Sequence, residues 1–235
     1  MKANDIPIVL YSHSDYLDCL NVCVDQLYKY DLTNIILVYN LDSYRDIKTI
    51  KYDDNLSYTE KLLSCLEQIN LNSFIYLHED FIIYDQPKID LINEYFKYID
   101  NDFAHSIRLI RSGVDTLYFP LGLQMYKIIH PLDKHYAGQA SVFKNDYLKK
   151  LLRHHKGKNL WAFEEEVQSL AAYHNNYVVW DTNYNHKRGL VHYDSNVFPY
   201  MATAICKGKW NTEYRKEIST IIPENIIKIR GWTNE

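Results

Sequence analysis

The chain has 235 residues, with 26 Lys and Arg against 30 Asp and Glu, a formal net charge of −4. Hydrophobic residues at 47% and charged residues at 24% fit a globular domain with a full core and exclude a disordered chain. The mild acidity argues against nucleic-acid binding through clustered cations, and no apolar run nears the roughly 20 residues of a membrane helix.

The first half alternates strand and helix signals. Ile6 to Tyr11 is a short apolar run of the kind buried on both faces of a sheet, followed by the polar loop Ser12-His13-Ser14-Asp15. Leu17, Leu20, Val24 and Leu27 then recur at helical spacing. Asn34 to Tyr39 predicts a second strand and Thr49 to Tyr52 a short third. Asp53 to Ser57 opens a helix striped by Leu62, Leu63, Leu66 and Ile69, and Ser73 to Leu77 is a strand running straight into His78-Glu79-Asp80. Pro87 to Tyr98 reads as a helix, Phe103 to Ile110 as a strand, and Leu117 to Ile129 as a hairpin or further strands. Asp146 to His154 is a short basic helix, Ala162 to His174 a helix with Glu164, Glu165 and Glu166 in its first turn, and Tyr177 to Trp180 the last strand. A terminal helix is expected after Lys209.

This alternation predicts an α/β fold, a single domain with a mostly parallel mixed sheet and helices on both faces. Residues 1–100 would form a nucleotide-binding half, 101–210 an acceptor-binding half, and 211–235 a C-terminal helix and tail. Seven glycines leave neither GxGxxG nor GxxxxGK[ST], which disfavours a dinucleotide-type Rossmann domain and a P-loop NTPase. Cys19, Cys23, Cys65 and Cys206 are too few and scattered for a disulfide scaffold. With no signal-peptide pattern at the start, the expectation is a soluble, cytoplasmic protein.

Chemistry is expected where polar residues leave strands. Glu79 and Asp80 follow a buried strand at the edge where open α/β sheets place ligands. Two adjacent carboxylates with no Lys or Arg nearby in sequence favour a hard divalent cation, Mg²⁺ or Mn²⁺; the bland alternative is an acidic turn. Tyr11, Ser12 and His13 leave the first strand where a nucleotide is commonly gripped, and Asp53 and Asp54 precede the second helix; without a ligand, N-capping by Ser14 or Asp15 explains the first loop and helix capping explains Asp53 and Asp54. Acids in a first turn oppose the helix dipole, whereas one of Glu164 to Glu166, seated beside Trp161 and Phe163, has the makings of a general base. His192 is a late imidazole in a polar, aromatic segment, and Ala137 to Ser141 is a small-residue stretch permitting close approach of a substrate.

In this order, the features resemble a nucleotide-sugar glycosyltransferase of the GT-A fold over roughly Ile6 to Trp210. Phe74 to Phe81 is similar to the strand and acidic metal motif of that superfamily, and Gly138 to Phe143 with Trp161 to Glu164 resembles the acceptor and base region of small viral and marine microbial members. The departure is His78, where a strict D-x-D has its first aspartate. The resemblance implies that Tyr11, Ser12, His13, Asp53, Asp54 and Glu79 border the nucleotide. It places Asp80 and His192 on the metal, Gly138, Gln139 and Trp161 at the acceptor, and Glu164, with Glu165 in reserve, as the base. The implied partners are a nucleotide-sugar donor and a glycan or other hydroxyl acceptor, with Mn²⁺ or Mg²⁺ as cofactor and inversion at the anomeric carbon. The rival readings are a non-catalytic binding module of the same fold and a nucleotidyltransferase. The latter usually shows a Gly-rich loop and a Lys or Arg after the first strand, both missing from residues 12–16.

Overall fold

The structure, a computed structural model, describes residues 1–115, 118–184 and 186–234. The apolar runs of the first half form β1 (Ile8–Tyr11), β2 (Ile35–Tyr39), β3 (Lys48–Lys51) and β4 (Ser73–His78), all paired in parallel. Side chains alternate between two cores: Ile8, Leu10, Ile75 and Leu77 join one, Val9, Phe74 and Tyr76 the other. Burial on both faces is why these segments read as unbroken apolar runs. Helices α1 (Leu17–Lys29), α2 (Tyr58–Leu66), α3 (Ile89–Asp100) and α4 (Asn145–His154) flank the sheet. Buried residues of α1 and α3 belong to the first core, and those of α2 and α4 to the second. Ser57 starts α2 through a capping box with Glu60.

Five further strands complete the sheet: β5 (Ser106–Arg108), β6 (Tyr118–Pro120), β7 (Met125–Lys127), β8 (Ser141–Lys144) and β9 (Asn176–Val179). Among the described residues the nine strands lie in the order β3-β2-β1-β4-β8-β5-β9-β7-β6. Only β7 and β8 run against the others, so the sheet is mixed but mostly parallel. The expected hairpin is β6 and β7; Leu117, its expected start, lies outside the described residues.

Strand β8 was not expected, because residues 137–141 read as a small-residue loop. It lies antiparallel between β4 and β5, with Ser141 opposite both Tyr76 and Arg108. An antiparallel strand begins where its neighbours end. The segment entering β8, Ala137 to Ala140, therefore emerges at the same sheet edge as the acids leaving β4.

The expected C-terminal helix and tail are corrected. A two-stranded ribbon (Ile205–Cys206 with Lys209–Trp210) leads into two short helices, Arg215–Ile221 and Glu224–Arg230. Pro223 separates them: it has no N–H to donate, and Ile222 before it is extended at φ −99°. The segment is built into the first core through Tyr214, Ile218, Ile222 and Ile227. Arg230 reaches back to Asp18 on α1, with nitrogen–oxygen distances of 2.6 and 2.5 Å. No helix among the described residues is long and apolar enough to cross a membrane.

Candidate active site

A cleft of about 310 Å³ opens at the carboxyl ends of β4 and β5. Distant segments supply its walls: His78 at the end of β4 and Asp80 beyond it, Lys134 and Ala137 to Gln139 before β8, Leu160, Trp161 and Glu164 on a helix, Val191 and His192, and Ala202, Thr203 and Ile205. Ser112 and Gly113, after β5, close one side.

Glu164 belongs to α5 (Leu160–Glu166), which Asn159 caps by accepting from the Ala162 N–H at 2.9 Å. The helix thus begins two residues earlier than expected and runs on through Val167 into Gln168–Ala171, so the three glutamates lie past its first turn. Away from the first turn, opposition to the helix dipole no longer accounts for these acids. What holds Glu164 is specific. Its Oε1 lies 2.5 Å from Lys134 Nζ, and its Oε2 accepts from the Gly138 N–H at 2.9 Å. Trp161, one helical turn away and 75% exposed, stands at the cleft rim. Glu165 is exposed and is not among the lining residues.

His192 sits on a short ribbon, Lys187–Arg188 with His192–Tyr193. Arg188 anchors it through Asp194 at 3.1 Å and Glu217 at 2.5 Å, and His192 also pairs with Ser112. Burial pushes the His192 pKa down to about 4, against the pull of Glu164, so the ring is neutral at neutral pH. Gln139 Nε2 lies 3.3 Å from His192 Nε2 and donates to the Ala202 carbonyl, while its Oε1 accepts from Tyr200. Gln139 is thereby pinned on three sides.

At the end of β4, Asp80 faces the cleft, and Glu79 is buried away from it with one carboxyl oxygen unpartnered among the described residues. Burial raises the Glu79 pKa to about 8, helped by Asp80, and burial raises that of Asp80 to about 7. His78 is ringed by Tyr11, Tyr58, Tyr76 and Phe81, with centroids 5.2–6.1 Å away, and bonds to the Tyr76 hydroxyl at 3.1 Å. Burial pushes its pKa down to about 4. A neutral imidazole suits this aromatic box, whereas an aspartate would be an uncompensated charge in it.

The other expected nucleotide residues do not line this cleft. Tyr11 stacks on Tyr52 at 5.4 Å and touches the cleft only through His78. Ser12 is fully buried, its N–H donating to Val38 and its carbonyl accepting from Tyr52. His13, Asn40, Asp54 and Lys61 form a polar cluster at the ends of β1 and β2, with His13 and Lys61 at 3.3 and 3.0 Å from Asp54. Asp53 is exposed and closes its own turn by accepting from the Asn55 N–H at 3.0 Å. Sequence reasoning missed Lys134 and the buried Arg108, since one cation in a polar loop and one in a strand carry no pattern.

Among the described residues no group of three or more His, Cys, Asp and Glu side chains is gathered to hold a metal ion. Asp80 and His192 share one cleft, so the chain offers a carboxylate and an imidazole.

No protein-family model and no curated protein sequence matches the chain. Among solved structures, it is similar to residues 1–349 of S. aureus TarS, at 11% identity, 92% of this chain, 64% of that one and TM-score 0.50. UDP-glucose pyrophosphorylase complexed with UDP-glucose aligns at 13% identity over 74% of this chain and 90% of that one, TM-score 0.49. CMP:2-keto-3-deoxy-manno-octonic acid synthetase complexed with CTP aligns at 14% identity over 74% and 88%, TM-score 0.45. The chain shares with the TarS fragment a single α/β domain with a large, mostly parallel mixed sheet flanked by helices, and an identity this low establishes the fold alone.

Gly138 gives a first test of the geometry. A Cβ there would stand 3.3 Å from both Glu164 Oε2 and Leu160 Cδ1. Gly138→Ala is expected to move the carboxylate while leaving the melting temperature within a few degrees. With Glu164 as the reacting base, small misplacements are costly and turnover should drop roughly tenfold or more. Paired calorimetry and steady-state kinetics check this, and unchanged turnover would show that the position of Glu164 does not matter.

Proposed function

We propose that the protein is a transferase that moves a sugar from a nucleoside-diphosphate donor to an acceptor hydroxyl, with inversion and with help from a divalent ion. The observation carrying this reading is the convergence of Asp80, Glu164 and His192 on one cleft of a nucleotide-sugar enzyme fold. Glu164 Oε1 takes the acceptor proton as the acceptor oxygen bonds to the anomeric carbon. The bond from that carbon to the diphosphate oxygen breaks, and its electron pair leaves with the diphosphate. A divalent ion held by Asp80 and His192 would stabilise that leaving charge by several kcal/mol. To ligate through Nε2, His192 would exchange its contact with Gln139. Gly138 N–H keeps the carboxylate aimed, while Gln139 and the exposed Trp161 border the acceptor. The cluster of His13, Asn40 and Asp54 at the ends of β1 and β2 would take the nucleoside.

The test is a panel of UDP-, GDP-, dTDP- and CMP-linked sugars, with and without Mn²⁺, read by thermal shift and then by transfer to a hydroxyl acceptor. One donor should stabilise the protein by about 2.7 kcal/mol at a hundredfold excess over Kd. Binding without transfer or hydrolysis would favour the non-catalytic module, and pyrophosphate release from a nucleoside triphosphate would favour a nucleotidyltransferase.

A further inference from the structure

Among the described residues lining the cleft, Lys134 is the only lysine or arginine, and without a substrate it is spent on Glu164, 2.5 Å away. Its backbone is fixed at both ends: the N–H donates to Gly113 O at 2.8 Å, and the carbonyl accepts from Arg108 Nη2 at 2.6 Å. Arg108 also holds the Ser112 carbonyl, so a buried guanidinium devotes itself to clamping this pair of loops. The lysine stem lies over Gly113, where a Cβ would come within 3.1 Å of its Cγ and Cδ. Glu164 is anchored independently by the Gly138 N–H, and its side chain is only 14% exposed against 43% for Lys134. Of the two partners, the free end of the lysine is the one able to swing.

The ionisable side chains otherwise lining the cleft, among the described residues, are two carboxylates and two imidazoles. An entering diphosphate meets net negative charge unless a cation turns toward it. We propose that Lys134 is a donor-operated latch on the base: its ammonium leaves Glu164 Oε1 for a phosphate oxygen of the donor, unmasking that oxygen for the acceptor. The base then becomes available only when the anionic donor is in place. This rests on the glycosyl-transfer reading for its purpose, but its physical content is the transfer of one ammonium between two anions.

Inorganic pyrophosphate in chelator-treated buffer is the probe, since Lys134 is then the only cationic side chain of the cleft wall. Calorimetric titration should show Lys134→Met binding at least tenfold more weakly than wild type, or about 1.4 kcal/mol, with Lys134→Arg within a few fold. Glu164→Gln, which frees the ammonium, should bind more tightly than wild type. A crystal structure of the pyrophosphate complex should show Nζ on a phosphate oxygen. Unchanged affinity in Lys134→Met, or a complex in which the contact with Glu164 persists, overturns the latch. A protein that binds pyrophosphate through Lys134 yet transfers sugar from no donor retires the glycosyl-transfer reading and leaves the latch intact. Undiminished transfer by Lys134→Met does the reverse.

Discussion

Glu164→Gln should lower kcat by roughly 10²–10⁴-fold, the range lost when a positioned general base is removed. The amide keeps the length of the side chain, and its carbonyl oxygen can still accept from the Gly138 N–H. What it loses is the ability to take a proton and the charge that holds Lys134. The loss should therefore fall on kcat far more than on the KM of the donor, with the melting temperature close to wild type. Transfer kinetics with the donor identified by the binding panel measure it. A variant turning over at the wild-type rate would remove the base from the mechanism, and Glu165, exposed and off the cleft, is not placed to inherit the role.

Asp80→Asn is expected to sacrifice activity while strengthening the fold. With pKa values raised to about 7 for Asp80 and about 8 for Glu79, the folded protein keeps protons that the unfolded chain releases near pH 4. The folded state thus binds more protons across that interval, and stability falls as pH rises from about 4 to about 8. Below pH 4 both states are protonated and the effect is absent. Removing one carboxylate should flatten this decline. After discounting for the partial exposure of Asp80, the gain at pH 8 is on the order of 2 kcal/mol, or roughly 4–8 °C in Tm for a chain of this size. A divalent ion that binds the ionised carboxylate acts oppositely, so Mn²⁺ should raise the wild-type Tm more at pH 8 than at pH 5 and leave Asp80→Asn unmoved. Transfer by this variant should fall more than a hundredfold, consistent with losing several kcal/mol of leaving-group stabilisation. Full transfer, together with an unchanged response to Mn²⁺, would separate Asp80 from any metal.

The parallel half of the sheet was legible because strands buried on both faces must be apolar throughout, as Ile6 to Tyr11 and Ser73 to Leu77 are. Strand β8 was not, since four residues flanked by small and polar ones carry too little periodicity to separate from a loop. The α5 start carried its own signal, Asn159 ahead of Leu160, and the run of three glutamates drew the boundary away from it. At the site, strand-end acids could be expected from topology, and their cleft partners Glu164 and His192 from residue type. Lys134 could not, because its meaning comes from where Gly113 and Arg108 hold it. Ser12 and Asp53 show the opposite failure: both are polar and correctly placed in the chain, yet one is buried in the sheet and the other spent on its own turn.

The antiparallel strand at the centre has a mechanical consequence. Because β8 is hydrogen-bonded to β4 on one side and β5 on the other, the two halves of the molecule are stitched together beneath the cleft rather than jointed there. Hinge bending between lobes would have to tear that seam. On the transfer reading, substrates would enter and leave past the exposed groups of the cleft wall: the indole of Trp161, Val191 and the lysine arm.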